Sequence, residues 1–110
     1  MKVIEMKHYA AISEFHTILK AKFGSDLQTV KVFGSVARGT AGEESDIDVW
    51  VLINEKTPAI REIINDLAFE VNLKYDVVLS PVIMSLQHYS NPLFQETLLY
   101  KNLQEEGISL

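Results

Sequence analysis

Two aspartates, Asp46 and Asp48, begin a run of strand-forming residues with the sequence DIDVWVLI. Because successive side chains of a strand point to opposite faces, both carboxylates are expected on the same face. Carboxylates held this close repel each other unless a cation lies between them. The pair therefore predicts a site for a hard divalent ion, Mg²⁺ or Mn²⁺, which prefers oxygen ligands.

A second signal lies upstream, where the apolar segment TVKVF ends in Gly34 and Ser35. A Gly-Ser turn at the end of a strand offers free backbone N–H groups that can hold a phosphate. No basic residue occurs between Arg38 and Lys56, so the intervening carboxylates lack a nearby counter-charge in the sequence. A phosphate-binding turn followed by paired carboxylates predicts metal-dependent phosphoryl or nucleotidyl transfer.

Asp76 is the third candidate carboxylate, because it lies near the start of an otherwise apolar segment predicted as a strand over 75–79. An aspartate is disfavoured there unless something compensates it. If this strand neighbours the strand at 47–53, Asp76 joins the aspartate pair as a metal ligand near the attacking oxygen. The alternative is an aspartate that pairs with a neighbouring residue and serves only the fold.

The hydrophobic periodicity predicts helices alternating with strands, and therefore an α/β fold with helices packed on a small sheet. A helix capped by Thr57, with Pro58 at its first position, is the clearest element.

Trp50 shares a strand face with the aspartates, and core packing is favoured over a place beside the site. The other predicted segments are a helix over 7–23, a strand over 29–33, a short helix over 36–39, a loop over 40–45, a strand over 47–53, a helix from Asn91 to Gly107, and an edge strand or tail over 108–110.

The composition narrows the class of protein. The 110 residues suit one domain spanning 1–110, and an apolar fraction of 47% excludes a disordered chain. Absence of cysteine excludes disulfides and thiolate metal ligands. A net charge of −5 opposes stable nucleic-acid binding. No apolar run resembles a signal peptide or a membrane span, so a cytoplasmic protein is expected.

The segments GSVARG at 34–39 and SDID at 45–48 together form an ordered motif. This motif resembles the signature of the DNA polymerase β-like nucleotidyltransferase superfamily, and more narrowly that of minimal nucleotidyltransferase (MNT) domains. The resemblance implies the nucleotidyltransferase fold, a small mixed β-sheet packed with helices. It also implies a Mg²⁺-dependent (or Mn²⁺-dependent) reaction with ATP as the nucleotide donor.

The resemblance implies two groups of site residues. The metal ligands and catalytic carboxylates are Asp46, Asp48 and Asp76. The nucleotide-binding residues are Gly34, Ser35, Arg38 and Ser45. For Ser45 the alternative is a role in capping the loop, and for Arg38 a partner contact or a surface ion pair.

Small members of this family resemble antitoxins that pair with HEPN-domain toxins and add AMP to a toxin hydroxyl. The resemblance therefore implies a cognate HEPN toxin as partner, in a possible homo- or hetero-oligomer. Two alternatives remain open. One is an antitoxin that masks its partner without catalysis, and the other is a nucleotidyltransferase that modifies a small molecule.

Overall fold

The computed structural model describes residues 6–39 and 46–110. Its helices are α1 (Met6–Phe23), α2 (Gly34–Arg38), α3 (Pro58–Tyr75), α4 (Leu86–Tyr89), α5 (Pro92–Gln95) and α6 (Leu98–Glu106). Its strands are β1 (Leu27–Phe33), β2 (Ile47–Ile53), β3 (Leu79–Ser85) and β4 (Ile108–Ser109). A short 3₁₀ turn, Gly24–Asp26, joins α1 to β1.

The four strands form one sheet in the order β3-β2-β1-β4. Strand β2 runs parallel to β3 and antiparallel to β1, and β1 runs antiparallel to β4. The sheet is therefore mixed, which confirms the predicted fold class. Because β2 and β3 are parallel, both strands start at the same edge of the sheet.

Side-chain alternation along β2 divides the core between the two faces of the sheet. Val49 and Val51 lie in the larger cluster with residues of α1 and α3. Trp50 and Leu52 point to the opposite face, into a smaller cluster that includes Phe94. Trp50 is 1% exposed, and its ring centroid lies 5.1 Å from that of Tyr89, so the prediction of core packing is confirmed.

Several predicted boundaries are confirmed. Strand β2 spans the predicted residues 47–53, and α1 begins one residue earlier than predicted. Thr57 caps α3, since its hydroxyl accepts a hydrogen bond from the backbone N–H of Ile60 at 3.1 Å. Two other boundaries differ from the prediction: β1 starts at Leu27 and not at position 29, and the short helix predicted over 36–39 spans Gly34–Arg38. The loop predicted over 40–45 lies outside the described residues.

The strand predicted over 75–79 is wrong, because α3 continues through Tyr75 and β3 starts only at Leu79. Tyr75 packs against the core below α3, so the helical stripe extends one turn further than predicted. Asp76 then ends the helix in the left-handed conformation. The side chain of Asn72 accepts the backbone N–H of Leu79 at 2.7 Å, which stabilises the step from helix to strand.

Pro81 does not end β3, although a proline cannot donate to the hydrogen-bond ladder of a sheet. It lies within the strand, opposite Val49 of β2. Strand β3 is at the edge of the sheet, where a residue without a backbone N–H is tolerated. The strand therefore extends to Ser85.

The helix predicted from Asn91 to Gly107 is divided into α5 and α6. Asn91 does cap α5, accepting the N–H of Leu93 at 2.8 Å. The break follows from Thr97, whose hydroxyl donates to the carbonyl of Phe94 and accepts the N–H of Tyr100. A threonine that caps a new helix interrupts the previous one. After α6, β4 pairs with β1, which settles the segment at 108–110 as an edge strand.

Candidate active site

The aspartate pair lies at the edge of the sheet where β2 begins. Asp46 is exposed and immediately precedes β2, whereas Asp48 is half-buried as its second residue. Asp48 is in register with Phe33 at the end of β1 and with Ser80 near the start of β3. The structure therefore brings the pair beside the turn that follows β1, as the motif predicted.

The two carboxylates form an electrostatically unfavourable pair. Partial burial raises the pKa of the Asp48 carboxyl above its ordinary value, and the charge of Asp46 raises it further. Arg38 opposes this rise in pKa but does not cancel it. A divalent cation would remove the repulsion, and carboxylate oxygens are the donors that Mg²⁺ prefers. The pair therefore fits the ion that the motif implies.

Gly34 allows the chain to turn directly beneath the Asp48 carboxylate. Its φ of 73° lies in the left-handed region, which glycine adopts without the strain of a side chain. A Cβ built at this position would overlap Oδ2 of Asp48. The backbone conformation therefore favours glycine here, and a side chain would force the Asp48 carboxylate to move. Ser35 follows as the second residue of α2, half-buried at the same turn.

Arg38 ends α2 and forms an ion pair with the last residue of α6. Its Nη1 lies 3.2 Å from Oε2 of Glu106, and the side chains of the two residues are 45% and 32% exposed. The next residue, Gly39, has a φ of 77° and closes α2 in the left-handed conformation. Arg38 is thus both a partner of Glu106 and a positive charge within electrostatic reach of Asp48.

Asp76 was predicted to lie in a strand, but it lies at the end of α3 and before β3. It is the exposed C-cap of α3, with φ 54° and ψ 51°, and its N–H bonds to the carbonyl of Asn72. Within residues 6–39 and 46–110, no three acidic or histidine side chains lie together as a group able to hold a metal. Asp46 and Asp48 are brought together, whereas Asp76 lies ahead of β3 at the same edge. Ser45 falls outside the described residues.

Two residues at the site were missed by the sequence reasoning. Ser80 lies directly beside Asp48 in the parallel register, and the misplaced strand hid this neighbour. Glu106 reaches Arg38 across 68 positions of sequence, a separation at which no local pattern predicts contact. Ser80 could have been predicted as a neighbour of Asp48 only if β3 had been expected to run parallel to β2.

No helix within the described part of the chain combines the length and apolar character needed to cross a bilayer.

Comparison with known proteins gives consistent matches. The family model described as "Nucleotidyltransferase domain" matches residues 12–109. Two Methanocaldococcus jannaschii proteins are similar in sequence. "Putative protein adenylyltransferase MJ0141" is 39% identical over 85 residues, covering 76% of this chain and 80% of that protein. "Putative protein adenylyltransferase MJ0604" is 31% identical over 102 residues, covering 93% and 96%.

Solved structures share the fold. One described as a "putative minimal nucleotidyltransferase" has a TM-score of 0.61 and 28% identity, and the match covers 97% of each chain. A chain from a point mutant of the toxin-antitoxin MntA-HpeT has a TM-score of 0.59 and 26% identity. That match covers 89% of this chain and 70% of the other.

The contact between Gly34 and Asp48 predicts the effect of adding one methyl group. Gly34→Ala should lower the free energy of unfolding by roughly 1–2 kcal/mol for the left-handed backbone, and further for displacing Asp48. Gly24→Ala is the matched control, because Gly24 has a φ of 55° but a Cβ added there would meet no atom within 4 Å. Urea denaturation should show the larger loss for Gly34→Ala; equal losses would contradict the close contact.

The raised pKa of Asp48 predicts how stability depends on pH. A carboxyl whose pKa is higher in the folded state stabilises the fold at low pH and loses that contribution as pH rises above about 4. Without divalent ions, Asp48→Asn should therefore be more stable than the parent protein at pH 7. The difference should disappear below about pH 4.

Thermal unfolding in a chelating buffer across this pH range measures the effect. Asp66→Asn, at an exposed position on α3, is the control for loss of one negative charge. A lower stability of Asp48→Asn at pH 7 would contradict the unfavourable charge pair.

Proposed function

Because the chain belongs to the nucleotidyltransferase domain family, we propose that it transfers AMP from ATP to a hydroxyl side chain of a cognate HEPN toxin. Two relatives that match most of this chain are named as protein adenylyltransferases. A structural neighbour at 26% identity belongs to a toxin-antitoxin complex. The function proposed is therefore that of a catalytic antitoxin.

The packing of the Asp48 carboxylate against Gly34 is the observation that carries this proposal. It brings a carboxylate, which is the proposed metal ligand, to a turn whose N–H groups suit a phosphate. A nucleoside triphosphate held at this turn would present its phosphates to the aspartate pair. The electrostatic repulsion within the pair would then be relieved by the ion that accompanies the nucleotide.

The reaction forms one bond and breaks another. The acceptor hydroxyl oxygen attacks the α-phosphorus of ATP, the bond from that phosphorus to the bridging oxygen breaks, and pyrophosphate leaves. The hydroxyl proton passes to a carboxylate at the site. The chemistry that bound Mg²⁺ supplies is neutralisation of the phosphate charge and activation of the attacking oxygen.

The proposed roles follow the positions of the residues. The turn at Gly34 and Ser35 holds the triphosphate, and Arg38 contributes a positive charge to it. Asp46 and Asp48 hold the metal ion. Ser45 is proposed to orient the nucleotide from the loop before β2, and Asp76 to act as the third carboxylate.

The role of Asp76 as third carboxylate is proposed from its position at the edge of the sheet where β3 begins. It lies three residues before β3, and β3 starts beside β2 because the two strands are parallel. A carboxylate at this edge is placed to serve an acceptor that approaches from outside the sheet. Its proposed task is to accept the hydroxyl proton and to complete the ligand set once nucleotide and acceptor are bound.

A protein acceptor agrees with the charge of the chain. The net charge of −5 disfavours nucleic acid, whose affinity depends on contacts between phosphates and basic side chains. The names of the two relatives designate a protein acceptor, and neither designates a nucleic acid or a small molecule. We therefore propose the toxin polypeptide as the substrate.

Asp46→Asn tests catalysis. Loss of a metal ligand should reduce AMP transfer by about 10³-fold, equivalent to about 4 kcal/mol of transition-state stabilisation. The purified complex with the cognate toxin is incubated with ATP and Mg²⁺, and intact mass spectrometry follows the toxin. The parent protein and the Asp66→Asn control should both add whole AMP units to the toxin, and Asp46→Asn should not.

The same experiment separates catalysis from masking. The proposed transfer would be contradicted if the parent protein and Asp46→Asn both neutralised the toxin in a tight complex and the toxin gained no mass. The binding-only antitoxin would then be the function supported.

Asp76→Asn tests the third carboxylate without disturbing its backbone. Asparagine tolerates the left-handed conformation as aspartate does, so the C-cap of α3 should be preserved. We expect AMP transfer to fall by at least tenfold while the protein remains folded. Transfer at the parent rate would remove Asp76 from the mechanism and leave the pair Asp46 and Asp48.

A further inference from the structure

Glu106 occupies a position where a carboxylate is unfavourable. It is the last residue of α6, and Glu105 precedes it. The C-terminal end of a helix carries partial negative charge, so acidic side chains there are destabilising. The last turn of α6 contains no basic residue that could compensate. A carboxylate at such a position is stabilised by a basic partner elsewhere in the fold.

Arg38 is that partner. The ion pair uses Nη1 of the guanidinium, with 3.2 Å between Nη1 and Oε2. Guanidinium carries five N–H donors in a planar fork, so a single contact leaves further donors for a second anion. The Arg38 side chain is 45% exposed and lies within electrostatic reach of Asp48, so its guanidinium is near the site and open to solvent.

The position of Glu106 is fixed by the packing that follows it. A Cβ on Gly107 would overlap the carbonyl oxygen of Leu103 and would lie 3.2 Å from Cδ of Lys31 on β1. The next residue, Ile108, pairs with Val32 near the end of β1. The end of α6 is therefore held against the same strand that leads into the Gly34 turn.

From this arrangement we infer that Glu106 is a positioning residue, which holds the Arg38 guanidinium at the edge of the site for the phosphates of a bound nucleotide. The inference rests on the proposed function, because it assumes that the site binds a nucleoside triphosphate. In this proposal Glu106 acts through Arg38 and touches no reacting atom. An ion pair as exposed as this one adds little to stability, so loss of Glu106 should change the thermal unfolding midpoint little.

A double-mutant cycle on nucleotide affinity tests the inference. The probe is α,β-methylene-ATP with Mg²⁺, which cannot release AMP, and calorimetry measures its dissociation constant. Glu106→Ala should weaken binding about threefold to fivefold, as expected for a partly exposed charge contact. Arg38→Ala should weaken it at least as much. In the Arg38→Ala background, Glu106→Ala should have no further effect, because its role depends on Arg38.

Two controls distinguish positioning from a general structural effect. Glu105→Ala removes the neighbouring exposed charge from the same helix end and should leave the dissociation constant unchanged. Glu106→Asp keeps the charge and should restore part of the affinity lost in Glu106→Ala. Thermal unfolding midpoints of all variants should remain within the range of the parent protein.

Three results would overturn the inference. They are unchanged affinity in Glu106→Ala, an equal effect of Glu106→Ala with and without Arg38, and tighter binding in Glu106→Ala. The last would mean that Glu106 competes with phosphate for Arg38. The binding measurement requires neither acceptor nor turnover, so its failure is separate from the failure of AMP transfer, which the toxin mass measures.

Discussion

The close approach of the Asp48 carboxylate to the backbone at Gly34 is the constraint around which the site is built. It requires a residue without a side chain, a left-handed turn at the end of β1, and antiparallel pairing that brings β2 alongside that turn. The cost is a half-buried carboxylate next to a second one, with its pKa raised. Two carboxylates this close favour a cation between them, and this repulsion supports the proposal of a metal ion and a phosphate at this edge of the sheet.

Local patterns predicted the parts of the fold that local interactions determine. Strand β2 is apolar on both faces because it is central, with β1 and β3 as neighbours, and it could be delimited to the residue. The bounds of the strand after α3 could not be predicted from the sequence. The segment from Tyr75 reads as a strand, but Tyr75 continues the core stripe of α3, and Asp76 adopts a left-handed cap. Tertiary packing of one aromatic ring overrode the β-propensity of the residues that follow.

The candidate site also combines features that local sequence predicts with features that depend on tertiary packing. The motif predicted the turn and the aspartate pair, because each depends on residues close together in sequence. The predicted place of Asp76 depended on a strand boundary and was lost with it, and Ser80 was found only through the register of β3. The ion pair of Arg38 with Glu106 joins two helix ends that tertiary folding alone brings together. The sequence indicates this ion pair only through a carboxylate at a helix C-terminus that has no basic residue in the same turn.

The proposed function requires that this edge of the sheet transfer a nucleotide to a protein, the proposed toxin partner. The most direct measurement compares radiolabel transfer to the cognate toxin from ATP labelled at the α-phosphate and from ATP labelled at the γ-phosphate, each with Mg²⁺. Attack at the α-phosphorus predicts that the α-label becomes covalently attached and that the γ-label leaves in pyrophosphate. Attachment of the γ-label would show phosphoryl transfer, and attachment of neither label would show that no transfer to this partner occurs; either result would contradict the proposed function.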